Sequence, residues 1–280
     1  GARPWASGHG TNVPFGETNG VRNSVRHRVP DGKNREVRLD FDSVNMAAVD
    51  PKMLQSMRGY LDVAHRLGLF LGQWNPGNTS SCSLRFRGEV ARKDTKLLTT
   101  AFCAGLVEKA MQEEVNIVNA ELVLQERGID VVTQCQTDQG AFSSSITAEI
   151  VADGHTYTAG GTLFGSDMPR LFRLDDYRLE AYLDGVLFVF MHRDVPGIIG
   201  AVGTVFGTHE VNIAQMAVGC AGEELGGDAI GVLNLGTAPP REAVEEVLSH
   251  PDIHKVSTIH LPAAGKLPPW PRPGAGKLHD

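Results

Sequence analysis

The stretch from Leu187 to Gly219, LFVFMHRDVPGIIGAVGTVFGTHEVNIAQMAVG, most constrains what this chain can fold into. It is preceded by Val186, and Val186 to Met191 is an unbroken apolar run of strand length. That pattern suits a strand buried on both faces, or an edge of a covered sheet. His192, Arg193 and Asp194 then bring polar groups to the strand end. Pro196 fits a first helical position, because its fixed φ helps there and its missing N–H is not needed. Ile198, Ile199, Val202, Val205 and Phe206 recur at helical spacing and give that helix one apolar face. Val211-Asn212-Ile213 opens a second strand. The polar strand end, the helix start and Asn212 are expected to meet at one sheet edge, as a small-ligand site without catalytic chemistry. An ordinary βαβ unit explains Pro196 and Gly197 equally well. It leaves His192, Asp194 and Asn212 as three coincidences.

His192-x-Asp194-x-Pro196-Gly197 followed by Val211-Asn212-Ile213 resembles the ACT domain, a small regulatory fold that binds amino acids. The resemblance is closest to the ACT domain that ends D-3-phosphoglycerate dehydrogenases, the first enzymes of serine synthesis. It implies L-serine as effector, held by His192, Asp194 and Asn212 between the ACT domains of neighbouring subunits. Some members carry Asn where Asp194 stands. The chemistry of the three side chains agrees with a free amino acid held at both ends. Asn212 offers donors and acceptors, Asp194 accepts from an ammonium, and the helix start near Pro196-Gly197 favours a carboxylate.

Composition places the chain in a class. Its 280 residues suffice for two domains, and 41% hydrophobic with 21% charged residues describes a globular protein. A net charge of −7 argues against a general nucleic-acid binder, which needs a basic surface. No stretch approaches bilayer-spanning length and the start lacks a signal-peptide pattern, so a cytoplasmic protein without membrane contact is expected. Cys82, Cys103, Cys135 and Cys220 lack CxxC spacing. They read as free buried thiols, and no metal site is expected.

Residues 1–43 carry scattered Gly, Asn, Arg and Pro with almost no apolar periodicity, and read as a disordered or remnant segment. Order is expected from Val44. A helix starting at Asp50-Pro51 presents Met53, Leu54, Met57, Leu61, Ala64, Leu67 and Leu69, with Gly68 or Gly72 as its end. Cys82, Leu84 and Phe86 alternate with Ser83, Arg85 and Arg87 as a half-buried strand. Asp94 or Thr95 caps a helix through Met111, a short strand spans Val115 to Val118, and a helix from Asn119 ends at Gly128. Val131–Gln136, Ser143–Ala152 and His155–Leu163 read as strands, the last two a hairpin at Asp153-Gly154. Leu171–Leu174 and Arg178–Tyr182 follow. After Val218 come a Gly-rich loop, a strand Ala229–Leu235, a helix from Pro239-Pro240 with Ala243, Val244, Val247 and Leu248 inward, and a strand Ile253–Leu261.

The fold expected is α+β: a mixed α/β domain at 44–182, then a ferredoxin-like βαββαβ unit at 183–262 and a flexible tail at 263–280. Tyr60-Leu61-Asp62-Val63-Ala64, Val118-Asn119-Ala120-Glu121 and Glu126-Arg127-Gly128 make the first domain similar to the allosteric substrate-binding domain of the longer phosphoglycerate dehydrogenases. That resemblance implies an anion site for a phosphorylated acid, with Arg85, Arg87, Lys93, Lys96, Arg170 and Arg173 as its candidates; Arg suits bidentate phosphate contacts. Scattered solvated surface charge is the plainer alternative for each of them.

The resemblance makes NAD the cofactor of the parent enzyme. No GxGxxG opens a strand–helix turn here, so no cofactor is expected in this chain. No nucleophile–base pair stands out, and Asp175-Asp176 reads as a solvated pair. Self-association through the ACT sheet is expected, with Leu187 to Met191 as a candidate edge. A stand-alone amino-acid-sensing module and the regulatory chain of an iron–sulfur L-serine dehydratase are the alternatives.

Overall fold

The computed structural model describes residues 51–75, 77–109, 119–220, 226–263 and 266. The expected segment at 1–43, the start of order at Val44, the strand at Val115–Val118 and most of the expected tail lie outside them.

Helix α1 (Pro51–Trp74) does not stop at either glycine. It runs through both because they meet α2 (Thr95–Glu108) rather than solvent. A Cβ on Gly68 would strike the carbonyl oxygen of Phe102, and one on Gly72 would lie 2.6 Å from the Leu106 oxygen. Gly105 of α2 approaches the His65 carbonyl in the same way. These glycines let two backbones touch. Asp94 caps α2, its carboxylate accepting from the Leu97 N–H at 3.2 Å. Helix α3 (Ala120–Glu126) ends at Gly128, whose φ of 73° allows Ile129 N–H to reach the Leu124 carbonyl at 2.9 Å.

The strands β1 (Thr79–Gly88), β2 (Asp130–Gln136), β3 (Ser144–Ala152), β4 (His155–Phe164), β5 (Met168–Leu174) and β6 (Tyr177–Tyr182) form a six-stranded sheet of order β2-β1-β3-β4-β5-β6. Only β2 is parallel to its neighbour. Cys82, Leu84 and Phe86 point into the core beneath α1 and α2. Arg85 and Arg87 take the opposite face, as alternation requires. The β3–β4 turn places Asp153 and Gly154 at positive φ, 50° and 78°. Asp175 also has positive φ and is not a solvated carboxylate. It sits in the β5–β6 turn and its Oδ1 accepts from the Thr158 N–H at 2.8 Å. Its neighbour Asp176 is exposed.

The second sheet consists of β7 (Val186–Arg193), β8 (Ile213–Cys220), β9 (Asp228–Leu235) and β10 (Ile253–His260), in the order β10-β7-β9-β8. Helices α4 (Ile198–Thr208) and α5 (Arg241–Leu248) complete the βαββαβ sequence. Phe188, Phe190 and Leu233 face the helices, and the Phe188 ring meets Phe206 edge-on at 4.9 Å. Leu187, Val189, Ile230 and Val232 face the other way, into the core of the first sheet. The apolar run of β7 is therefore buried on both faces, and β7 is central rather than an edge. Leu248, expected inward, is 45% exposed because α5 ends there.

Two buried polar residues join the sheets. Asn234 accepts from the Tyr182 N–H at 3.2 Å and donates to the Tyr182 carbonyl at 2.9 Å. Arg66, fully buried on α1, pairs with Asp62 at 2.7 Å. It also donates to the carbonyls of Leu183, Pro262, Ala263 and Lys266. The segments entering β7 and leaving β10 are thus fastened to one guanidinium. Gln73 of α1 covers the β10 edge: its amide accepts from the His260 N–H and donates to the His260 carbonyl, at 2.9 and 3.0 Å. The β8 edge has no strand beyond it among the described residues.

Candidate functional site

At the C-terminal end of β7, His192 is 2% exposed and its ring stacks on Phe190, centroids 5.2 Å apart. Nδ1 donates to the Arg193 carbonyl at 2.7 Å. In the neutral ring this leaves Nε2 as an acceptor. That nitrogen is buried and has no hydrogen-bond partner among the described residues. Asp194 follows, tied by its N–H to the Gly227 carbonyl at 2.8 Å and by its own carbonyl to Gly226 N–H at 3.0 Å. Pro196 is not the first helical residue. Gly197 caps α4 in a left-handed conformation, φ 102°, so the helix starts at Ile198 and Pro196-Gly197 form the turn before it. Gly197 has no side chain to cap the first turn of α4, whose amides have no intrahelical acceptors.

Asn212 is not at this end. Strand β9 pairs antiparallel with both β7 and β8, which makes β7 and β8 parallel. The start of β8 lies level with Leu235 and Val186, whereas Arg193 lies level with Asp228. Asn212 is exposed at that far end, its carbonyl accepting from Gly236 N–H at 2.9 Å. The eight residues of β7 separate the two ends, roughly 23 Å at about 3.3 Å per residue. One chain does not bring His192, Asp194 and Asn212 together.

What lies beside Asp194 instead is Cys220, the last residue of β8. Partial burial and then a hydrogen bond to the Asp194 carboxylate push its thiol pKa up. Sequence reading made all four cysteines buried, yet Cys135 and Cys220 are exposed and only Cys82 and Cys103 lie inside. Pairing across β9 puts Cys220 at the site, and no local sequence signal carries that pairing.

A groove runs over the face of the six-stranded sheet that carries Arg85 and Arg87. Arg85, Arg87, Arg170 and Arg173 line one groove of about 800 Å3. Lys93 and Lys96 do not line it. Lys93 ends a 3-10 turn and Lys96 stands in the first turn of α2, which packs on the opposite face. Strand register explains the gathering. Arg85 lies level with Thr147, Thr147 with Gly160, Gly160 with Arg173, and Arg173 with Arg178. Small residues on β3 and β4 thus form a floor between arginine walls. Arg178, which sequence analysis did not single out, completes the far wall.

Several of these guanidiniums already have partners. Arg87 pairs with Asp138, and Arg173 donates to the Asp175 carbonyl at 2.6 Å. Arg170 lies over the Tyr182 ring at 4.2 Å and near Phe164 at 5.5 Å. The Nε atoms of Arg87 and Arg170 are buried without a hydrogen-bond partner among the described residues. One carboxylate, Glu180, lines the same groove, its Oε1 4.0 Å from Arg170 Nε.

Residues 56–175 match the family described as the D-3-phosphoglycerate dehydrogenase intervening domain, and residues 185–252 match the ACT domain. This chain joins those two domains. Among its relatives, the D-3-phosphoglycerate dehydrogenase of Methanocaldococcus jannaschii is 30% identical over 218 residues, covering 78% of this chain and 41% of that one. That of Archaeoglobus fulgidus is 30% identical over 220 residues, 79% of this chain and 42% of the relative. The Bacillus subtilis enzyme is 27% identical over 222 residues, with 79% and 42% covered. The chain thus spans about two fifths of the length of these relatives. Most of the groove's lining lies in the stretch that matches the intervening domain, with Arg178 and Glu180 just beyond it, and His192, Asp194 and Cys220 lie in the ACT match. Among the described residues no group of three His, Cys, Asp or Glu could hold a metal, and no helix is long and apolar enough to cross a membrane.

Proposed function

We propose that this chain is the regulatory part of an NAD-dependent D-3-phosphoglycerate dehydrogenase, and that its ACT domain binds L-serine as feedback effector. The parent enzyme oxidises 3-phosphoglycerate at a catalytic centre carried elsewhere, where NAD also binds. The observation that carries the effector site is the Nε2 of His192, buried and without a hydrogen-bond partner among the described residues, at the strand end that leads through Asp194 to the start of α4.

Asn212 enters from a second chain. The β8 edge is open, and two copies pairing antiparallel along β8 run the start of one strand beside the end of the other. Asn212 of the second copy then stands next to Cys220 and Asp194 of the first. A two-fold dimer holds two such sites. In each, Asp194 accepts from the effector ammonium, the α4 start receives its carboxylate, and His192 Nε2 with Asn212 reads its polar groups.

The groove of the intervening domain holds a phosphorylated acid between Arg85 and Arg87 on one wall and Arg170, Arg173 and Arg178 on the other. Fork-shaped guanidiniums match phosphate and carboxylate oxygens.

Calorimetric titration with L-serine, D-serine and glycine tests the effector reading, run on wild type and Asn212→Ala. L-serine should bind wild type and bind the variant at least about tenfold more weakly, since a hydrogen bond to a charged group contributes about 1.5–3 kcal/mol. Equal affinities for wild type and variant would remove Asn212 from the site.

A further inference from the structure

The ACT domain touches the intervening domain through Lys255 on β10. This lysine pairs in register with Met191, and the neighbouring pair is Ile253 with His192. Its ammonium rests on the Trp74 ring, 3.7 Å from the centroid, and 5.4 Å from that of Tyr157. Trp74 ends α1 and is buried, and Tyr157 belongs to β4. A half-buried cation over two aromatic faces is attracted by their quadrupoles. The carboxylate of Asp175, in the β5–β6 turn, attracts the same ammonium.

Asp175 is held firmly. Its N–H donates to the Thr158 carbonyl at 2.7 Å and its Oδ1 accepts from the Thr158 N–H at 2.8 Å. Its own carbonyl accepts from Arg173 Nε at 2.6 Å. Arg173 is a wall of the anion groove. Contacts therefore run from the strand pair bearing His192 through Lys255 to Trp74 and Tyr157, and from Thr158, the neighbour of Tyr157, through Asp175 to Arg173 of the groove.

We propose that Lys255 couples the two sites: seated on Trp74 and Tyr157 beside Asp175, it transmits between the effector end of the ACT sheet and the arginine wall of the intervening domain. This rests on the reading of both sites given above. Lys255 touches neither ligand and acts as a positioning residue. Its two arrangements are the seated one seen here and one withdrawn along its flexible stem. A shift of β10 against β7 on effector binding changes which is favoured, and the β5–β6 turn follows. Linkage requires the effect to be reciprocal: an anion in the groove changes L-serine affinity by the factor with which L-serine changes anion affinity.

The test uses calorimetry on the full chain, with L-serine and inorganic phosphate as probes at fixed ionic strength. In wild type each probe should change the affinity of the other by the same factor, about fivefold or more. Lys255→Met should bind each probe alone with little change, while the mutual factor falls to about one. Lys255→Arg, which keeps the cation, should retain much of the factor, and Asp175→Asn should lose much of it. Should Lys255→Met melt far below wild type, the Lys255→Arg and Asp175→Asn pair carries the comparison. A wild type that binds both probes independently, or equal factors in wild type and Lys255→Met, overturns the relay and leaves both sites standing. An L-serine titration without heat removes the effector site itself, and the relay with it.

Discussion

Asp194 and Asn212 stand at opposite ends of the ACT sheet, because β9 pairs antiparallel with both of the strands that lead to them. Eighteen positions apart in sequence, they are linked by α4, which returns the chain to the starting edge before β8 runs parallel to β7. Any ligand that touches both residues must lie between chains. Gln73 occupies the His260 end of the β10 edge, and among the described residues no strand lies beyond β8, so β8 is the edge at which we propose that two copies join.

Gly68→Ala should destabilise the protein. In a free helix Ala is better than Gly by about 1 kcal/mol. Here the added methyl meets the Phe102 carbonyl, and the Leu106 nitrogen at 2.7 Å, both backbone atoms that cannot swing aside. Overpacking of this kind costs about 1–3 kcal/mol. Gly200→Ala on α4, where nothing among the described residues lies within 4 Å, should instead be neutral or stabilising. Urea unfolding of the two variants checks the contrast; a stabilised Gly68→Ala would mean that the helices do not touch as described.

Arg66→Met should lower stability by about 3–5 kcal/mol, the cost of leaving one partner of a buried ion pair uncompensated. Asp62 remains, with its carboxyl already pushed above the ordinary range by burial, and four carbonyls lose their donor. Denaturant unfolding reads the loss. A variant within about 1 kcal/mol of wild type, the range of an exposed pair, would contradict the burial of this guanidinium.

Much of this architecture is legible in the chain, because alternation and capping are local. Cys82, Leu84 and Phe86 against Arg85 and Arg87 fix the two faces of β1, and Asp94, Gly128 and Asp153-Gly154 punctuate the elements where they stand. Gly68 and Gly72 mislead for a physical reason. A glycine that ends a helix and one that admits a neighbouring helix look alike until the neighbour is in place. The sites are harder, since they depend on register between distant strands. Four of six anion-site candidates converge, while Lys93 follows a 3-10 turn outside the groove, Lys96 is carried off on α2, and Arg178 joins through its pairing with Arg173. The same non-local pairing moves Asn212 away from His192 and brings Cys220 to Asp194.

Glu121→Gln should change how stability depends on pH. Glu121 is 7% exposed, and burial raises its carboxyl pKa against the opposing pull of Lys96. The native state therefore keeps this proton to higher pH than the unfolded chain does. Stability falls as pH climbs from the ordinary glutamate range through the raised value, and the contribution is flat beyond it. The glutamine variant lacks that loss. It should melt above wild type at pH 8 and close to it at pH 4. Parallel curves at both pH values would contradict the assignment of a buried, ionising Glu121.

The most direct measurement is subunit complementation. Asp194→Ala and Asn212→Ala chains are prepared separately, shown to bind L-serine poorly, then mixed in equal amounts under conditions that allow exchange. If each site takes Asp194 from one chain and Asn212 from another, every mixed dimer regains one intact site. About a quarter of all sites should then bind L-serine with wild-type affinity, as two-fold symmetry and random pairing require. A mixture that binds no better than its two components would contradict a site shared between chains.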